Sequence, residues 1–453
     1  MVFSLSKWRR RSSAKVLDGN TTSPYQTRNE DATFPETQSA LLLHAIRTPY
    51  EVDSGYKVPT VQHEHEVLVK VIAVGLNPID WKAPDFNFGI PTLPYISGRE
   101  LVGTVLTNPS PPNSRIKKGT LVIIPSTDYR DLRKAAFQNY AIASSFNSIR
   151  LPSTISPHSG SILGVAFVSA ALTLGICMGV DFSSISSGPD LLKIVHSLDS
   201  ETLPSDIRAE CLHGITPAER ARKNDTLIIW GGGSTVAHIA KQIARLAGLK
   251  IISVVDTAKH GLRLSSHPQI RPDLVVDSYD AERAISIIQT ATDGNARFGF
   301  DTVGKESASH LLRSLGSETR HEKDDTPSTK EESKTTKPPT PPHTPSSSPS
   351  TTSTISPSSP LSRSHLIGLT GLPKPSSSSS DNTLFHTVPI KLFHEVPAVG
   401  EALSAWCERL LVEGKLVPPD VVGVVKGLEG IEEGLGRLRR GEIRGGRLVG
   451  DLE

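Results

Sequence analysis

The sequence predicts an α/β protein in which a doubly wound parallel sheet follows a separate β-rich region. Three observations lead to this prediction. After residue 225, apolar runs of strand length alternate with amphipathic runs of helical period. A cluster of glycines stands between the first of these strands and its helix. Ahead of this alternation, short apolar runs are separated by turn signals such as Asn77-Pro78 and Lys118-Gly119. Strands that alternate with helices form parallel sheets covered by helices on both faces.

The β-rich region comes first in the chain. Glu66–Gly75 alternates between apolar and polar residues as a strand does, and Leu101–Val105 and Thr120–Pro125 are shorter apolar runs. The next apolar run, Gly164–Val180, carries no charge, but glycines interrupt it and it is slightly too short to cross a bilayer. We therefore predict a buried helix there. Residues 181–224 are more than a strand connection needs, and we interpret them as a surface excursion with some helix.

The glycine cluster carries the first functional signal. Thr226–Trp230 is a short apolar run, and a second one ends at Asp256 after an amphipathic helical pattern. A strand, a glycine turn, a helix and a strand within about thirty residues form a βαβ unit that binds a dinucleotide. Backbone N–H groups and the helix N-terminus then face the pyrophosphate. Because Ala237 stands where the motif has its last glycine, a glycine turn in some other α/β sheet remains the alternative. The predicted pyrophosphate-binding residues are Gly231, Gly232, Gly233, Ser234, Thr235 and Val236.

The rest of the parallel sheet is predicted downstream. Leu274–Asp277 is the third strand, Ala281–Ala291 a helix, Phe298–Gly304 the fourth strand and its turn, and His365–Gly371 the fifth strand. In such sheets the ligand lies past the carboxyl ends of the strands. The residues expected to border the cleft are Asp256, Tyr279, Asp301 and Gly368.

Two segments do not have the composition of a packed fold. The hydrophobic content is only 37% and the chain has 34 prolines. Residues 1–36 are polar, and residues 317–364, between the fourth and fifth strands, consist mainly of Ser, Thr and Pro. Such segments bury too little apolar surface to offset their chain entropy, so we predict that both are disordered. The basic start also resembles a mitochondrial presequence. We expect a cytoplasmic protein, with the mitochondrion as the alternative.

Charge and cysteine content exclude several classes of function. The formal net charge is +2, and the basic residues are dispersed, which predicts no nucleic-acid partner. Because the apolar run is interpreted as a core helix, we predict no membrane partner either. The three cysteines, Cys177, Cys211 and Cys407, are far apart in sequence. They are typical of a reducing compartment and do not form a four-cysteine zinc cluster.

Three motifs resemble a known family. They are Val69–Lys82, Leu93–Val105 and Ile116–Val122, and the C-terminal runs Leu411–Asp420 and Gly441–Val449 are similar to that family's ending. The family is the medium-chain dehydrogenase/reductase superfamily, and the resemblance is greatest to its zinc-free quinone-reductase-like branch and to the fungal trans-acting enoyl reductases. The resemblance implies a GroES-like β-barrel domain, a Rossmann domain for NADP and a cleft between them.

This resemblance also implies domain boundaries. After the tail of residues 1–36, residues 37–165 are expected to form the GroES-like domain. Residues 166–398 are expected to form the Rossmann domain, with the insert at 317–364. Residues 399–453 are expected to complete the Rossmann sheet and return to the first domain. Within that ending, the resemblance adds Leu448 and Val449 to the expected cofactor-binding residues.

The resemblance bears on zinc. Zinc-dependent members carry a cysteine near the position of Asn77 and a histidine where this chain has Arg99. An arginine is not deprotonated in proteins and does not bind a cation, so we predict no catalytic zinc and no other metal. The remaining candidate is His63–Glu66, whose two histidines would share one face of a strand. We interpret this segment as a solvated polar loop, because no distant cysteine or histidine pairs with it.

Without a metal, hydride transfer relies on positioning and on hydrogen bonds to the carbonyl that gains charge. A nicotinamide donates hydride to an electron-poor carbon, such as the β carbon of an enone or an enoyl thioester. We therefore predict an NADPH-dependent, zinc-independent reductase of an activated C=C bond or of a quinone. Its substrate is a small molecule or a carrier-bound acyl group, and a polyketide synthase is a candidate partner. The alternative is a catalytically inactive nucleotide-binding sensor or scaffold of the same fold.

The catalytic residue stays open at this stage. The candidates lie in the motifs that resemble the family's cofactor-facing loops. Each has a structural alternative: Asp80 as a helix cap, for example, or Arg99 in an ion pair with an acid. The candidates are Asn77, Asp80, Lys82 and Tyr95, with Arg99 beside them.

Cofactor selection depends on the end of the second strand. An acid there usually accepts the ribose hydroxyls of NAD and repels a 2′-phosphate. Asp256 lies about one residue beyond the usual place, and Lys259 and His260, which follow it, are suited to binding that phosphate. Because the families resembled mostly use NADPH, we predict NADP(H), with NAD(H) as the alternative.

Overall fold

The computed structural model describes residues 34–110, 112–126, 128–316, 363–374 and 382–453. Nearly all of the predicted tail and of the Ser/Pro-rich insert lie outside the described residues. Their predicted disorder therefore stays a prediction.

The described residues form sixteen strands in three sheets. The strands are β1 (Thr37–Leu43), β2 (Glu51–Lys57), β3 (Glu66–Gly75), β4 (Tyr95–Ile96), β5 (Glu100–Val105), β6 (Leu121–Pro125), β7 (Tyr140–Ser144), β8 (Ile149–Arg150), β9 (Thr226–Trp230), β10 (Lys250–Val255), β11 (Leu274–Asp277), β12 (Phe298–Asp301), β13 (Ser364–Gly368), β14 (Thr383–Thr387), β15 (Val421–Lys426) and β16 (Arg447–Asp451). The three strands predicted in the β-rich region correspond to β3, β5 and β6.

Twelve α-helices accompany these strands in the described part of the chain. They are α1 (Pro78–Phe86), α2 (Pro157–Gly160), α3 (Gly164–Leu172), α4 (Leu191–His196), α5 (Arg208–His213), α6 (Thr235–Leu246), α7 (Thr257–Ser266), α8 (Ala281–Ala291), α9 (Lys305–Ser314), α10 (Lys391–Glu395), α11 (Pro397–Val412) and α12 (Glu429–Arg439).

Residues 226–387 contribute a six-stranded sheet in the order β11-β10-β9-β12-β13-β14. Every neighbouring pair in it is parallel. The order is third, second, first, fourth, fifth and sixth, which is the arrangement of a doubly wound dinucleotide-binding sheet. The predicted fold class is therefore confirmed. The sixth strand, β14, was missed because Thr383–Thr387 is short and follows a polar segment.

The other strands form two sheets in which every neighbouring pair except β15 and β16 is antiparallel. One has the order β2-β1-β4, and the other has the order β15-β16-β3-β5-β6-β8, with β7 also paired to β3. The side chains between them form one apolar cluster that includes Leu41, Val69 and Phe137. These sheets form the GroES-like domain, in agreement with the prediction.

The C-terminal segment corrects one expectation. Residues 399–453 were expected to complete the parallel sheet, and this is wrong. The edge of that sheet beyond β13 is taken by β14, which lies before residue 399. Strands β15 and β16 instead pair with each other, and β16 pairs antiparallel with β3. With these two strands the chain returns to the first domain, which was also expected.

Residues 181–224 are not a surface excursion, contrary to the sequence interpretation. Phe182 stacks on Trp406 of α11 with ring centroids 4.4 Å apart. The indole N–H of Trp406 donates to the carbonyl of Ile185 at 2.9 Å. Leu191 and Val195 of α4 are fully buried in the same core cluster. The segment therefore covers one face of the parallel sheet together with α3, α6 and α11.

The predicted core helix is present. By length and composition alone, the helical stretch Pro157–Cys177 is apolar enough to cross a membrane, but 94% of its apolar window is buried inside the protein. Phe167 and Leu172 are fully buried there. The helix packs against α6, which explains why it carries no polar face.

The two ends of the Ser/Pro-rich insert lie side by side. The Ser364 hydroxyl donates to the carbonyl of Gly316 at 3.0 Å, and Arg363 pairs with Glu219 at 2.6 Å.

Because the ends of the insert already meet, closing the loop with a shorter chain changes its entropy cost little. Replacing residues 318–361 by a short Gly/Ser linker should therefore leave Tm and dinucleotide affinity nearly unchanged. Thermal unfolding and a binding titration check this. A matched control, Arg363→Ala in the full chain, should lower Tm, since buried Glu219 loses its partner. Collapse of soluble expression in the linker variant would show that the insert is structural.

Candidate functional site

A cavity of about 620 Å³ lies at the carboxyl ends of the parallel strands. Its floor is the glycine turn between β9 and α6, and its sides are the start of α7 and the turn after β12. Pro78 from the GroES-like domain and residues 443–447 close it from the other side. The cavity therefore lies where a doubly wound sheet binds its ligand and where the two halves of the chain meet.

Backbone hydrogen bonds and close packing fix the shape of the glycine turn. The N–H groups of Gly231 and Gly232 both donate to the carbonyl of Val254 at 3.1 Å. Gly231 has a φ of +84°, and a Cβ on Gly232 would lie 1.8 Å from the Ser253 hydroxyl oxygen, so neither position accepts a side chain. Ser234 caps α6 by accepting from the N–H of Ala237 at 3.1 Å.

Most of the predicted pyrophosphate residues line the cavity. Gly231, Gly233, Ser234 and Thr235 do so, whereas Gly232 and Val236 do not. Gly232 faces β10, and the side chain of Val236 is buried in the core.

The turn after β12 contributes residues that sequence reasoning missed. Thr302 and Val303 line the cavity, and the Thr302 hydroxyl lies 3.0 Å from that of Ser234. Asp301, predicted to border the cleft, is fully buried and accepts from the N–H groups of Val303 and Gly304 at 3.0 and 2.8 Å. Asp301 therefore shapes the turn that carries the lining residues.

Asp256 and Lys259 lie together at one end of the cavity. The Lys259 ammonium is 2.5 Å from one carboxylate oxygen of Asp256, and the other oxygen caps α7 by accepting from the Lys259 N–H at 3.1 Å. These hydrogen bonds to Lys259 lower the pKa of Asp256. His260 and Ser278 line the cavity beside them. Asp256, which suits NAD(H), and Lys259, which suits NADP(H), are therefore paired with each other.

Several predicted cofactor residues lie outside the cavity. Tyr279 follows Ser278 but is 95% exposed, and Gly368 at the end of β13 faces Leu372. Leu448 and Val449 are fully buried in β16, where the Leu448 carbonyl accepts from the N–H of Leu76 at 3.0 Å. The structure therefore does not bring these four residues to the cavity wall.

Of the C-terminal residues that line the cavity, Arg447 is buried and bonds residues of both halves of the chain. Its guanidinium donates to the Asn77 amide oxygen at 2.6 Å and to the Leu76 carbonyl at 3.3 Å, and it also bonds the Thr235 hydroxyl. Burial lowers the pKa of Arg447. The signal in the sequence was a single arginine at the head of an apolar strand, and it was passed over in favour of the two residues that follow.

Asn77 connects Arg447 to a buried acid. The Asn77 amide nitrogen donates to Glu100 at 3.0 Å, and Glu100 also accepts from the N–H of Val165 at 3.0 Å. Glu100 is fully buried, and burial raises its pKa. Arg99 points elsewhere, donating to the Tyr95 hydroxyl at 2.9 Å. Asn77 thus links the Arg447 guanidinium to the Glu100 carboxylate, and neither an amide engaged in this way nor a guanidinium is a ligand that zinc takes.

The proposed catalytic side chains do not line the cavity. Asp80 is fully buried and accepts from the N–H of Asn77 at 2.8 Å and from the Ser97 hydroxyl at 3.0 Å, so it caps α1. The Lys82 ammonium lies 5.6 Å from the ring centre of Trp81. Tyr95 is buried behind Arg99. Pro78 is the residue of this region that the cavity exposes.

The polar segment His63–Glu66 is not a solvated loop throughout. Glu66 is 3% exposed, pairs with Arg133 at 2.8 Å and accepts from the N–H of Gln62 at 2.7 Å. These hydrogen bonds lower the pKa of Glu66, against the effect of its burial. Its ion pair therefore fixes the start of β3.

Among the described residues, one other group brings metal-binding atoms together. Cys177, Glu210 and His386 have ligand atoms within 4.8 Å of one another, and none of the three lines the cavity. His386 bonds Glu210 at 2.8 Å and His365 at 2.9 Å. Burial raises the pKa of the Cys177 thiol, which is the neutral form that donates to Glu210. The three side chains satisfy one another by hydrogen bonds.

Comparisons with known proteins agree with this geometry. The family model of the alcohol dehydrogenase GroES-like domain matches residues 63–153. A trans-enoyl reductase of Penicillium decumbens is 26% identical over 49% of this chain and 53% of its own length. A dehydrogenase of Emericella nidulans is 29% identical over 44% of this chain and 52% of its own length. The chain thus spans about half the length of the curated relatives it matches.

Solved structures show the same fold over most of the chain. A quinone oxidoreductase of Pseudomonas syringae is 13% identical, with a TM-score of 0.60 over 91% of this chain and 99% of that chain. A mycobacterial protein complexed with NADPH is 17% identical, with a TM-score of 0.60 over the same shares. The enoyl reductase CurK is 14% identical, with a TM-score of 0.59 over 92% of this chain and all of its own.

The zinc prediction can be tested on the purified protein. Since the Asn77 amide is engaged by both Arg447 and Glu100, elemental analysis should find far less than one zinc per chain. Cys177→Ser is a matched control, because it removes the thiol of the other ligand group and locates any metal bound there. A stoichiometric zinc that chelation removes together with activity, and that Cys177→Ser retains, would contradict the prediction.

Proposed function

We propose that this chain, a quinone-reductase-like member of the medium-chain dehydrogenase/reductase superfamily, is an NADPH-dependent and zinc-independent reductase of activated C=C bonds or of quinones. The observation that carries the proposal is the composition of the cavity wall around the glycine turn. The Gly233 backbone, the hydroxyls of Ser234 and Thr235 and the Arg447 guanidinium converge there. These are the groups that bind a pyrophosphate.

The two ends of the cavity suit the two ends of a dinucleotide. Asp256, Lys259 and Ser278 lie past β10 and β11, where a ribose and its phosphate are held in such sheets. Pro78 and Val303 lie at the other end, between the two halves of the chain. A nicotinamide bound there would supply hydride to a substrate. The chain's own residues would orient it and exclude water.

The substrate class we propose follows from the chemistry of the cofactor. A nicotinamide donates hydride to an electron-poor carbon, and Pro78, which lines the cavity from the GroES-like domain, offers no ligand for a Lewis acid. Enones, quinones and enoyl thioesters meet this condition. The relatives include trans-enoyl reductases, which supports a carrier-bound acyl substrate and a polyketide synthase as partner.

The alternative function is a nucleotide-binding sensor or scaffold without catalysis. It is favoured by one observation: Asn77, Asp80 and Tyr95 are buried in structural hydrogen bonds and leave no proton donor among the four candidates at the cavity. A reductase that uses solvent as its proton source would need none of them.

One assay tests the proposal and its alternative together. NADPH consumption is followed with a panel of enones, quinones and enoyl thioesters, the last both free and on an acyl carrier. Turnover of at least one class supports the reductase. Arg447→Met tests the binding site in the same assay. Loss of the guanidinium should weaken NADPH binding by about ten- to a hundredfold, which corresponds to the free energy of a hydrogen bond to a charged group. NADPH binding without turnover of any class would favour the sensor, and no binding would overturn both.

Cofactor selection should depend on Lys259 and Asp256 in opposite directions. Lys259→Ala should weaken NADPH by about ten- to a hundredfold through loss of a charge-assisted contact with the 2′-phosphate, and should leave NADH unchanged. Asp256→Ser should strengthen NADPH and weaken NADH, because the carboxylate repels phosphate and accepts ribose hydroxyls. Titration of both cofactors into each variant measures this.

Lys250→Ala is the matched control for these variants. Lys250 is an exposed lysine at the opposite end of β10, so its removal should affect neither cofactor. Tight NADH binding that Asp256→Ser abolishes and Lys259→Ala leaves intact would reverse the assignment to NAD.

A further inference from the structure

Lys241 is a buried lysine directly behind the glycine turn. It lies in α6, seven positions after the cap residue Ser234, and its side chain is 1% exposed. The ammonium donates to the carbonyl of Gly232 at 2.7 Å. Helical residues at this depth are normally apolar, because a buried ammonium loses its hydration. The position therefore calls for an explanation in terms of charge.

No carboxylate pairs with Lys241 in the part of the chain that the structure describes. The charged group that acts on it is Arg263 on α7, which is itself paired with Asp420 at 2.7 Å, and the His260 and His238 imidazoles belong to the same cluster. Burial, with a smaller effect from Arg263, lowers the pKa of Lys241 to about 7. Lys241 itself therefore has a carbonyl but no counter-charge as its hydrogen-bond partner in the described structure, and an anion bound at the turn would supply that charge.

The hydrogen bond to Gly232 also orients the turn. In a trans peptide the C=O of one residue and the N–H of the next point in opposite directions. Because the Gly232 carbonyl points inward to Lys241, the Gly233 N–H points to the other side, and Gly233 is a residue that lines the cavity. In the described structure, the Gly233 N–H donates to no backbone carbonyl, unlike its neighbours Gly232 and Ser234. It is a free donor aimed at the cavity.

We propose that Lys241 is a positioning residue for the cofactor's pyrophosphate. It supplies a buried positive charge opposite the pyrophosphate, and it holds the Gly233 N–H in the orientation that binds it. This inference rests on the proposed dinucleotide-binding function and adds a residue to it. Both NADPH and NADH carry the pyrophosphate, so Lys241 affects the two alike. Lys259, in contrast, is placed to discriminate between them.

The first experiment replaces Lys241 by methionine, which keeps the length of the side chain and removes the charge. Lys241→Met should weaken the binding of NADPH and of NADH by the same factor, about tenfold or more. This loss of affinity corresponds to the lower end of the free energy that a hydrogen bond to a charged group contributes. Lys259→Met is the matched control and should weaken NADPH only. Tm measured at pH 7 should stay equal or rise in Lys241→Met, because a buried charge with a lowered pKa destabilises the fold below its unfolded pKa.

The opposite signs of these two readouts separate positioning from a merely structural role. Wild-type affinity for both cofactors in a folded Lys241→Met protein would overturn this inference and leave the proposed function intact. A lowered Tm together with weaker binding would also overturn it, since Lys241 would then support the fold. Failure of the wild type to bind either cofactor would overturn the proposed function, and this inference with it.

A second experiment needs no variant that folds differently. Anion binding raises the pKa of Lys241 from about 7, so NADPH binding at pH 8 should take up a proton. Calorimetric titration of wild type in two buffers with different ionisation enthalpies measures the uptake. At pH 8 the 2′-phosphate is outside its titration range, and burial keeps the pKa of His260 below its usual value. Equal apparent enthalpies in the two buffers would overturn the charge-coupled role.

Discussion

The buried guanidinium of Arg447 is the contact on which the arrangement of the cleft depends. It belongs to β16 of the GroES-like domain, yet it bonds the Thr235 hydroxyl at the start of α6 in the Rossmann domain. Through Asn77 it also reaches Glu100 and the loop after β3. A buried charge is stable only with partners on all sides. Each half of the chain therefore completes the other's hydrogen bonds at the cavity.

This network explains why the cleft works without a metal in our proposal. The Asn77 amide accepts from the Arg447 guanidinium and donates to Glu100, and Asp80 caps α1 in the same loop. The positive charge is thus permanent and fixed in direction, beside the hydroxyl of Thr235. Such a group orients phosphates, but it does not polarise a substrate carbonyl as a Lewis acid does. Substrates whose reacting carbon is already electron-poor need no Lewis acid, so they suit a site whose cation only orients the cofactor.

The sequence predicted elements whose signal is local and missed those set by distant contacts. Five strands of the parallel sheet and the glycine turn follow from periodicity over short windows. Arg447 was missed because its partners, Asn77 and Thr235, lie 370 and 212 positions away. The role of Asp80 was left between cap and catalyst, since helix capping was visible in sequence but its full burial was not. The predicted surface position of residues 181–224 was wrong because Phe182 stacks on Trp406, which comes much later in the chain and gives no local signal.

Two buried cations contact the glycine turn and the start of α6: Lys241 bonds the Gly232 carbonyl and Arg447 bonds the Thr235 hydroxyl. Arg447 has Glu100 nearby, but its Nε finds no partner within the described structure, and Lys241 has only a carbonyl. Helix α6 adds the positive end of its dipole at the same place. Each cation loses hydration on folding, and neither has a full set of partners in the described structure. An anion bound at the turn would supply the missing partners. A pyrophosphate held between the free Gly233 N–H and Arg447 would do so, which is why we read this turn as a binding site built in advance of its ligand.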